Sequence, residues 1–321
     1  MYTPPFTINS RTIHLIAEIS AYVERYVIRM EREDALLLRK INRVKTIQGS
    51  LAIEGNTLTE SQITDIIDGK HVVAPIREIQ EVKNAIKTYN LYPTLNPFST
   101  DDLLKAHKTM METLIDDAGS FRKGGVGVVA GEKVVHLAPP ADRVPTLINE
   151  LFTWLKFSED HLLIKSSVFH YEFEFIHPFS DGNGRMGRLW QSLILGKLHP
   201  VFEYLPVENM VFANQQRYYN AINQSSKQAD CGVFIDFMLQ EILTTLKNRY
   251  EKSKNTQENT QENTQENILK IIKERPKVTR RELAAMLGKT EDSIKYHLLK
   301  LTKKGIIKHI GSTKGGEWVI Y

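Results

Sequence analysis

The sequence predicts a mainly α-helical chain: a helical bundle carrying one β-hairpin, with a smaller basic unit behind it. Three observations lead there. Apolar residues recur at three- and four-residue spacing through most of the first 250 positions, the mark of helices with one buried face. One stretch, GGVGVVAGEKVVHLAPP from Gly124 to Pro140, breaks that spacing and reads as two short valine-rich strands around AGEK. A polar repeat, NTQENTQENTQEN from Asn255 to Asn267, then separates all of this from the last 54 residues.

The helical pattern begins with IHLIAEISAYVERYVI and LLLRKINRVKTIQGSLAIEG. It continues through IREIQEVKNAIKTYNLY, LLKAHKTMMETL, VPTLINELFTWLKF, LIKSSVFHYEFEFI and VFIDFMLQEILTTLKNRY. The NTQE repeat has no apolar residue with which to build a core; its period of four could support a solvated helix, but Asn and Thr are poor helix formers. It reads as a tether giving the last domain freedom to move. The expected division is an N-terminal helical region over 1–92, a core over 93–250, the polar linker over 251–267 and a small domain over 268–321.

Composition bounds the function. A chain of 321 residues that is 41% hydrophobic can build about two packed domains. The single cysteine, Cys231, excludes an intramolecular disulfide framework and a multi-cysteine metal site. The N-terminus, MYTPPFTINSRTIH, lacks the basic patch and apolar run of a secretory signal. No apolar run approaches the roughly 20 residues that span a bilayer, so the expectation is a cytoplasmic protein with no membrane partner. The net charge of +4 is uneven: residues 268–321 hold ten Lys and three Arg against four Glu and one Asp, leaving the rest mildly acidic. A basic terminal domain points toward nucleic acid.

The chemistry concentrates in HPFSDGNGRMGR, His177 to Arg188, set between two apolar runs. Glycines let backbone N–H groups turn toward an anion. A helix starting near Asn183 would add its unpaired N–H groups and its dipole. Arg185 and Arg188 would then lie one turn apart on one face, an arrangement suited to polyphosphate. Asp181 is placed to hold Mg²⁺, which takes few protein ligands and commonly bridges phosphate oxygens. His177 is the one group there able to accept a proton near neutral pH. Together these residues point to phosphoryl or nucleotidyl transfer.

The same residues resemble a known family. His177, Pro178, Phe179, Asp181, Gly182, Asn183, Gly184, Arg185 and Arg188 match every fixed position of HPFxDGNGRxxR, the signature of the Fic (filamentation induced by cAMP) family. His170, Phe173 and Ile176 fit the family's HxxFExIHPF approach, where they look structural. The resemblance covers at least residues 93–245. It implies a Fic-type helical core with the hairpin as its flap, and a protein adenylyltransferase (AMPylase) that moves AMP from ATP to a side-chain hydroxyl of a target protein. Carried onto this chain, His177 is the catalytic base and Asp181 holds Mg²⁺. Asn183, with the N–H groups around Gly182 and Gly184, forms the anion hole, and Arg185 and Arg188 hold the β- and γ-phosphates. Phe179 packs beneath the loop.

Further segments follow from that resemblance. HLAPP is similar to the family's HxPP flap ending, which places Val134, Val135, His136 and Leu137 near the nucleotide. The flap edge would receive an extended segment of the target protein. NQQRYYNAINQSS resembles the adenine-pocket segment, so that Tyr218 or Tyr219 contacts the base; either tyrosine could equally be core filler. Ser226 stands where some members have Asn. SLAIEG, Ser50 to Gly55, matches the inhibitory-helix signature [S/T]xxxE[G/N]. The Gly reads as a helix stop, and Glu54 would pair with Arg188 and obstruct the γ-phosphate site. The implied enzyme is self-restrained, and the same Glu opens a reverse, AMP-removing reaction.

After the repeat, VTRRELAAMLG and TEDSIKYHLLKLTKKG resemble a winged helix-turn-helix, with Thr290 capping the recognition helix. Ser293, Lys295, Tyr296 and Lys300 would face a major groove, with Lys314 at the wing tip. Such a domain binds duplex DNA or docks protein, and a homodimer is a further possible partnership. Against the enzyme stand a nucleotide-sensing DNA-binding regulator without turnover and an enzyme using another nucleotide or phosphodiester donor. An intact His177 and Asp181 favour the enzyme, and two arginines favour a triphosphate.

Overall fold

A computed structural model of the chain describes residues 2–30, 35–125, 127–130, 133–205, 207–311 and 316–321. The chain divides into two compact units, Met1–Lys247 and Asn248–Tyr321. No helix among the described residues is long and apolar enough to cross a membrane.

The first unit is built from α1 (Ser10–Met30), α2 (Ala35–Ile53), α3 (Glu60–Ile67), α4 (Ile76–Leu91), α5 (Thr100–Met110), α6 (Val144–Phe157), α7 (Leu162–Ile176), α8 (Asn183–Leu198), α9 (Val207–Ala213), α10 (Gln215–Gln228) and the opening of α11 (Gly232–Glu274). Local chemistry sets several starts. The Asn9 side chain accepts from the N–H groups of Arg11 and Thr12. Thr59 and Gln62 form a capping box at α3, and Ser99 caps α5. Short α3 and α9 fall outside the periodic segments read from the sequence, because eight or seven residues hold too few turns to show a stripe.

Helix α7 is the centre of the unit. Its residues from Leu163 to Phe173 are all buried, so it carries no polar stripe. Phe169 stacks toward Phe173 and meets Phe152 edge-on, and Phe152 touches Trp190 of α8. Among the described residues, the one hairpin of this unit is β1 (Gly127–Ala130) against β2 (Lys133–Leu137), antiparallel, with a register shift between Val128 and Val129. It falls where the valine-rich runs place it.

The second unit has its own core. Ile268 and Ile272 from the end of α11 pack with Leu283 of α12 (Arg280–Leu287), Ile294, Leu298 and Leu301 of α13 (Glu291–Lys303), and Ile307 of β3 (Ile307–Ile310). Strand β3 pairs antiparallel with β4 (Glu317–Ile320), and Trp318 closes the core. This is the three-helix and wing arrangement of a winged helix-turn-helix. Residues 251–267, whose composition argues against a helix, lie within α11. Helix nucleation is costly but propagation is cheap, so apolar helical segments on both sides carry a poor helix-former through.

Candidate active site

The loop joining α7 to α8 is held by side chains from outside it. His177 ends α7 in the left-handed region at φ 49° and ψ 61°, its N–H bonded to Phe173 O at 2.9 Å. That conformation costs a residue with a β-carbon roughly 1–2 kcal/mol, so something must hold it. Arg122 does: its Nε donates to His177 O at 2.7 Å, and its terminal nitrogens donate to Ile176 O, to Gly124 O at 2.8 Å and to Pro139 O at 2.5 Å. One buried guanidinium thus ties the loop entrance to both ends of the hairpin segment.

Phe179 is fully buried, as expected beneath the loop, and lies flat on His107 of α5. His107 Nδ1 accepts from the Gly119 N–H at 2.9 Å, so its proton sits on Nε2, which donates to Asp181 O at 3.0 Å. Burial lowers the His107 pKa to about 4 and keeps the ring neutral. Asn183 closes the loop: its Oδ1 accepts from Phe179 N at 2.8 Å and its Nδ2 donates to Phe179 O at 2.9 Å. The Asn183 side chain thus braces the loop through Phe179, and the second Nδ2 hydrogen stays available to an anion beside the backbone N–H.

Helix α8 begins at Asn183, as the sequence suggests, behind Gly182 at φ 84°. Its first intrahelical bond is Met186 N to Gly182 O. The N–H groups of Asn183, Gly184 and Arg185 precede it and have no acceptor within the helix, and they give the helix end its affinity for anions. Arg185, nearly buried, donates to Asp181 Oδ1 at 3.1 Å. Asp181 Oδ2 lies 3.7 Å from Arg77 of α4, and the Asp181 side chain is 41% exposed. Among the described residues no group of three or more His, Cys, Asp or Glu is placed to hold a metal ion. One partly exposed carboxylate beside anion-binding groups suits Mg²⁺ that takes most of its ligands from phosphate and water.

Glu54 reaches this helix end from α2. The N–H of Asn56 bonds to Leu51 O and that of Gly55 to Ala52 O, with Gly55 at φ 92°. This is a Schellman ending, and it makes Glu54 the C-cap residue rather than a member of the last turn. Glu54 Oε1 accepts from Arg188 Nη2 at 2.7 Å, and the same nitrogen donates to Ser50 O at 3.1 Å. A β-carbon on Gly184 would stand 2.7 Å from Glu54 Oε1 and 2.8 Å from Arg188 Nη1. The carboxylate therefore rests against the opening turn of α8, where an anion is favoured. Burial pulls the Arg188 pKa down, but Glu54 outweighs it and raises the value overall.

The other expected site residues divide. Tyr218 is core, 3% exposed, with its OH against His170 Nε2 at 3.1 Å; this favours the core-filler reading for it. Tyr219, half-buried and edge-on to Tyr218, is the member of the pair with surface left to meet a base. Ser226 is engaged by Tyr171 OH at 3.0 Å. Val134, Val135, His136 and Leu137 form β2, with backbone register Leu137 to Gly127 and His136 to Val128. His107, Arg122, Arg77 and Glu174 were not singled out by sequence reasoning. His107, Arg122 and Arg77 sit in ordinary amphipathic or glycine-flanked segments, Glu174 is the E of HxxFExIHPF, and all four act through the tertiary fold.

In the second unit, Thr290 caps α13 by accepting from Ser293 N at 3.2 Å. Lys295 and Tyr296 are exposed on that helix, and the Lys300 ammonium lies 5.8 Å from the Tyr296 ring centre. Leu299, 61% exposed, shares the helix. Lys314 lies outside the described residues.

Comparison with known proteins agrees with this geometry. A model of the Fic/DOC family matches residues 97–195, and a winged helix-turn-helix DNA-binding model matches residues 261–308. The chain is similar to a Fic family protein from Desulfovibrio desulfuricans G20, whose crystal structure is 39% identical with a TM-score of 0.74, covering 100% of this chain and 98% of that one. It is 30% identical over 203 residues to a protein adenylyltransferase Fic of Nematostella vectensis, covering 60% of this chain and 45% of the relative. It is 34% identical over 110 residues to a probable protein adenylyltransferase of Aquifex aeolicus, covering 34% of this chain and 31% of the relative. The chain thus spans less than half the length of these curated relatives.

Proposed function

The chain belongs to the Fic/DOC family and ends in a winged helix-turn-helix domain, and on that premise we propose that it is a protein adenylyltransferase held in check by its own Glu54. It moves AMP from ATP to a Ser, Thr or Tyr hydroxyl of a target protein. The observation that carries this reading is the HPFSDGNGRMGR loop, where a histidine stands at the mouth of a helix start flanked by two buried arginines.

His177 takes the proton of the target hydroxyl. The hydroxyl oxygen bonds to the α-phosphorus as the bond to the β-phosphate oxygen breaks, and pyrophosphate leaves. The N–H groups opening α8 and the Arg185 and Arg188 guanidiniums face the oxygens that gain charge, so preorganised electrostatics contributes most of the rate. Asp181 is the residue that would hold Mg²⁺, which when bound neutralises phosphate charge. Tyr219 contacts the adenine, and the target strand adds to the hairpin edge beside β2. Glu54 occupies Arg188 in the resting chain, which withholds a γ-phosphate ligand. The winged helix-turn-helix binds duplex DNA, and the proposed compartment is the cytoplasm.

The winged helix match also favours a second reading, a DNA-binding regulator whose core senses nucleotide without turnover. One experiment separates the two. The Glu54→Gly chain is incubated with Mg²⁺ and ATP labelled at the α- or the γ-phosphate. Label entering protein from the α position alone supports AMP transfer; label from the γ position, or none from either, overturns it.

A further inference from the structure

Glu174 is a buried carboxyl that the proposed reaction does not use. Its side chain is 13% exposed, and Oε1 has no hydrogen-bond partner. Buried polar atoms left unpaired are rare and call for an explanation. The fold also makes room for this one: a β-carbon at Gly187 would stand 2.9 Å from Glu174 Oε1. Any larger residue one turn into α8 would press on the carboxyl.

Its neighbours come from four elements. On its own helix, His170 Nε2 lies 3.8 Å from Oε1, but that nitrogen already meets Tyr218 OH at 3.1 Å. His177, at the end of the same helix, turns back because of its left-handed backbone. Its Nδ1 then lies 3.4 Å from Glu174 O and 4.0 Å from Glu174 Oε2. Arg188 of α8, Glu54 at the end of α2 and Tyr218 of α10 complete the electrostatic surroundings.

We propose that Glu174 is a positioning residue for His177: its carbonyl and carboxylate both face Nδ1, hold the ring proton there, and leave Nε2 to receive the target hydroxyl's proton. Which imidazole nitrogen acts is set by what the other one meets. Both acceptors lie on the Nδ1 side, and both come from one residue. The carboxylate also stabilises the imidazolium that forms when Nε2 is protonated, which a carbonyl alone does weakly. Burial pushes the Glu174 carboxyl up to about 7, Arg188 pulls it down and Glu54 pushes it up.

This inference rests on the proposed AMP transfer, and its test separates the two. The full chain carrying Glu54→Gly is compared with the same chain carrying Glu174→Gln or Glu174→Ala. Imidazole ¹⁵N spectra of histidine-labelled protein report the His177 tautomer, the signal being assigned by its loss in His177→Gln. Transfer rate at saturating ATP and ATP affinity are measured alongside. The expected result is a parent with the Nδ1–H tautomer and a shift toward the Nε2–H form in Glu174→Ala. The rate should fall by about tenfold to a hundredfold with ATP affinity within about threefold of the parent, and Glu174→Gln should fall between. An unchanged tautomer in both variants overturns the proposal, whatever the rate does. So does a loss confined to ATP affinity, which would make Glu174 a counter-charge for Arg188. If no chain transfers AMP, the parent included, the proposed activity fails, and the spectra alone still decide whether Glu174 sets the tautomer.

Discussion

His107 and Phe179 lie face to face, ring centres 3.6 Å apart and planes within 5° of parallel. One comes from α5 and the other from the loop that carries His177, so this contact is the floor of the site. The imidazole adds polar bonds at both edges, from Gly119 N and to Asp181 O. Replacing His107 with Leu keeps the volume and loses both bonds to part-buried backbone groups, which should cost on the order of 1 kcal/mol.

The His107 contribution should depend on pH. The folded chain keeps this ring neutral down to about pH 4, whereas the unfolded chain protonates it near the ordinary histidine value of 6.5. Between those values the unfolded state binds more protons, so stability drawn from His107 is complete above pH 6.5 and drains as pH falls toward 4. Differential scanning fluorimetry of wild type and His107→Leu between pH 7.5 and 4.5 checks this. The difference in Tm should narrow steadily with acidification, since all other titrating groups are common to both chains. A constant difference would mean that His107 is not held neutral.

His177→Ala should abolish AMP transfer, by a factor of at least about a hundred, while ATP binding survives. The phosphate contacts come from α8 and its arginines, not from the imidazole. Isothermal titration with ATP and Mg²⁺, run beside transfer assays in the Glu54→Gly background, checks both halves. Retained transfer would remove His177 from the role of base.

Much of this site is legible in the sequence because its chemistry is local. Glycine, asparagine and arginine spacing in DGNGRMGR announces a helix start facing an anion, and α8 does begin at Asn183. Glu54 was readable through resemblance, because SLAIEG matches the family's inhibitory-helix signature, and the Gly after it does end the helix. What stayed hidden is tertiary. Arg122 gathers carbonyls from positions 124, 139, 176 and 177, and no local pattern encodes a set so dispersed. The bracing of Phe179 by Asn183 was hidden for the same reason, since only the folded loop shows which backbone groups its side chain meets. The helical state of the NTQE repeat was hard to read because its own propensity opposes the helix that its flanks propagate.

The winged helix-turn-helix should bind duplex DNA, and binding should weaken steeply as salt rises because phosphate contacts release counterions. Fluorescence anisotropy of the full chain with a pooled duplex library, between ~50 and ~200 mM salt, measures this. Lys295→Ala should weaken all sequences alike and lower the salt slope by about 1 if its contact is to phosphate. Tyr296→Ala should instead change which sequences are selected. No binding at ~50 mM salt would favour protein docking, for which exposed Leu299 on the same helix is available.

The Glu54–Arg188 pair gives the sharpest test. Glu54→Gly should raise AMP transfer strongly, and Arg188→Ala should not, although each substitution breaks the same 2.7 Å bond. They differ in what remains. Without Glu54, the guanidinium stays buried against α8 with its charge intact and turns to the γ-phosphate. Without Arg188, the anchor of the carboxylate and the phosphate ligand disappear together. The two variants also separate in stability. Arg188 is 2% exposed and also holds Ser50 O, so its loss strands a buried acceptor. Glu54 is 34% exposed, so its loss costs less. The double variant should match Arg188→Ala in activity, because freeing a site does nothing once its ligand is gone. Intact-protein mass spectrometry of AMP addition, with Tm for all four chains, checks each arm. If Glu54→Gly is no more active than wild type, the pair is a structural contact and not a lock. If Arg188→Ala is activated to the same degree, the γ-phosphate is held elsewhere, and Arg185 with the N–H groups opening α8 becomes the whole of the phosphate site.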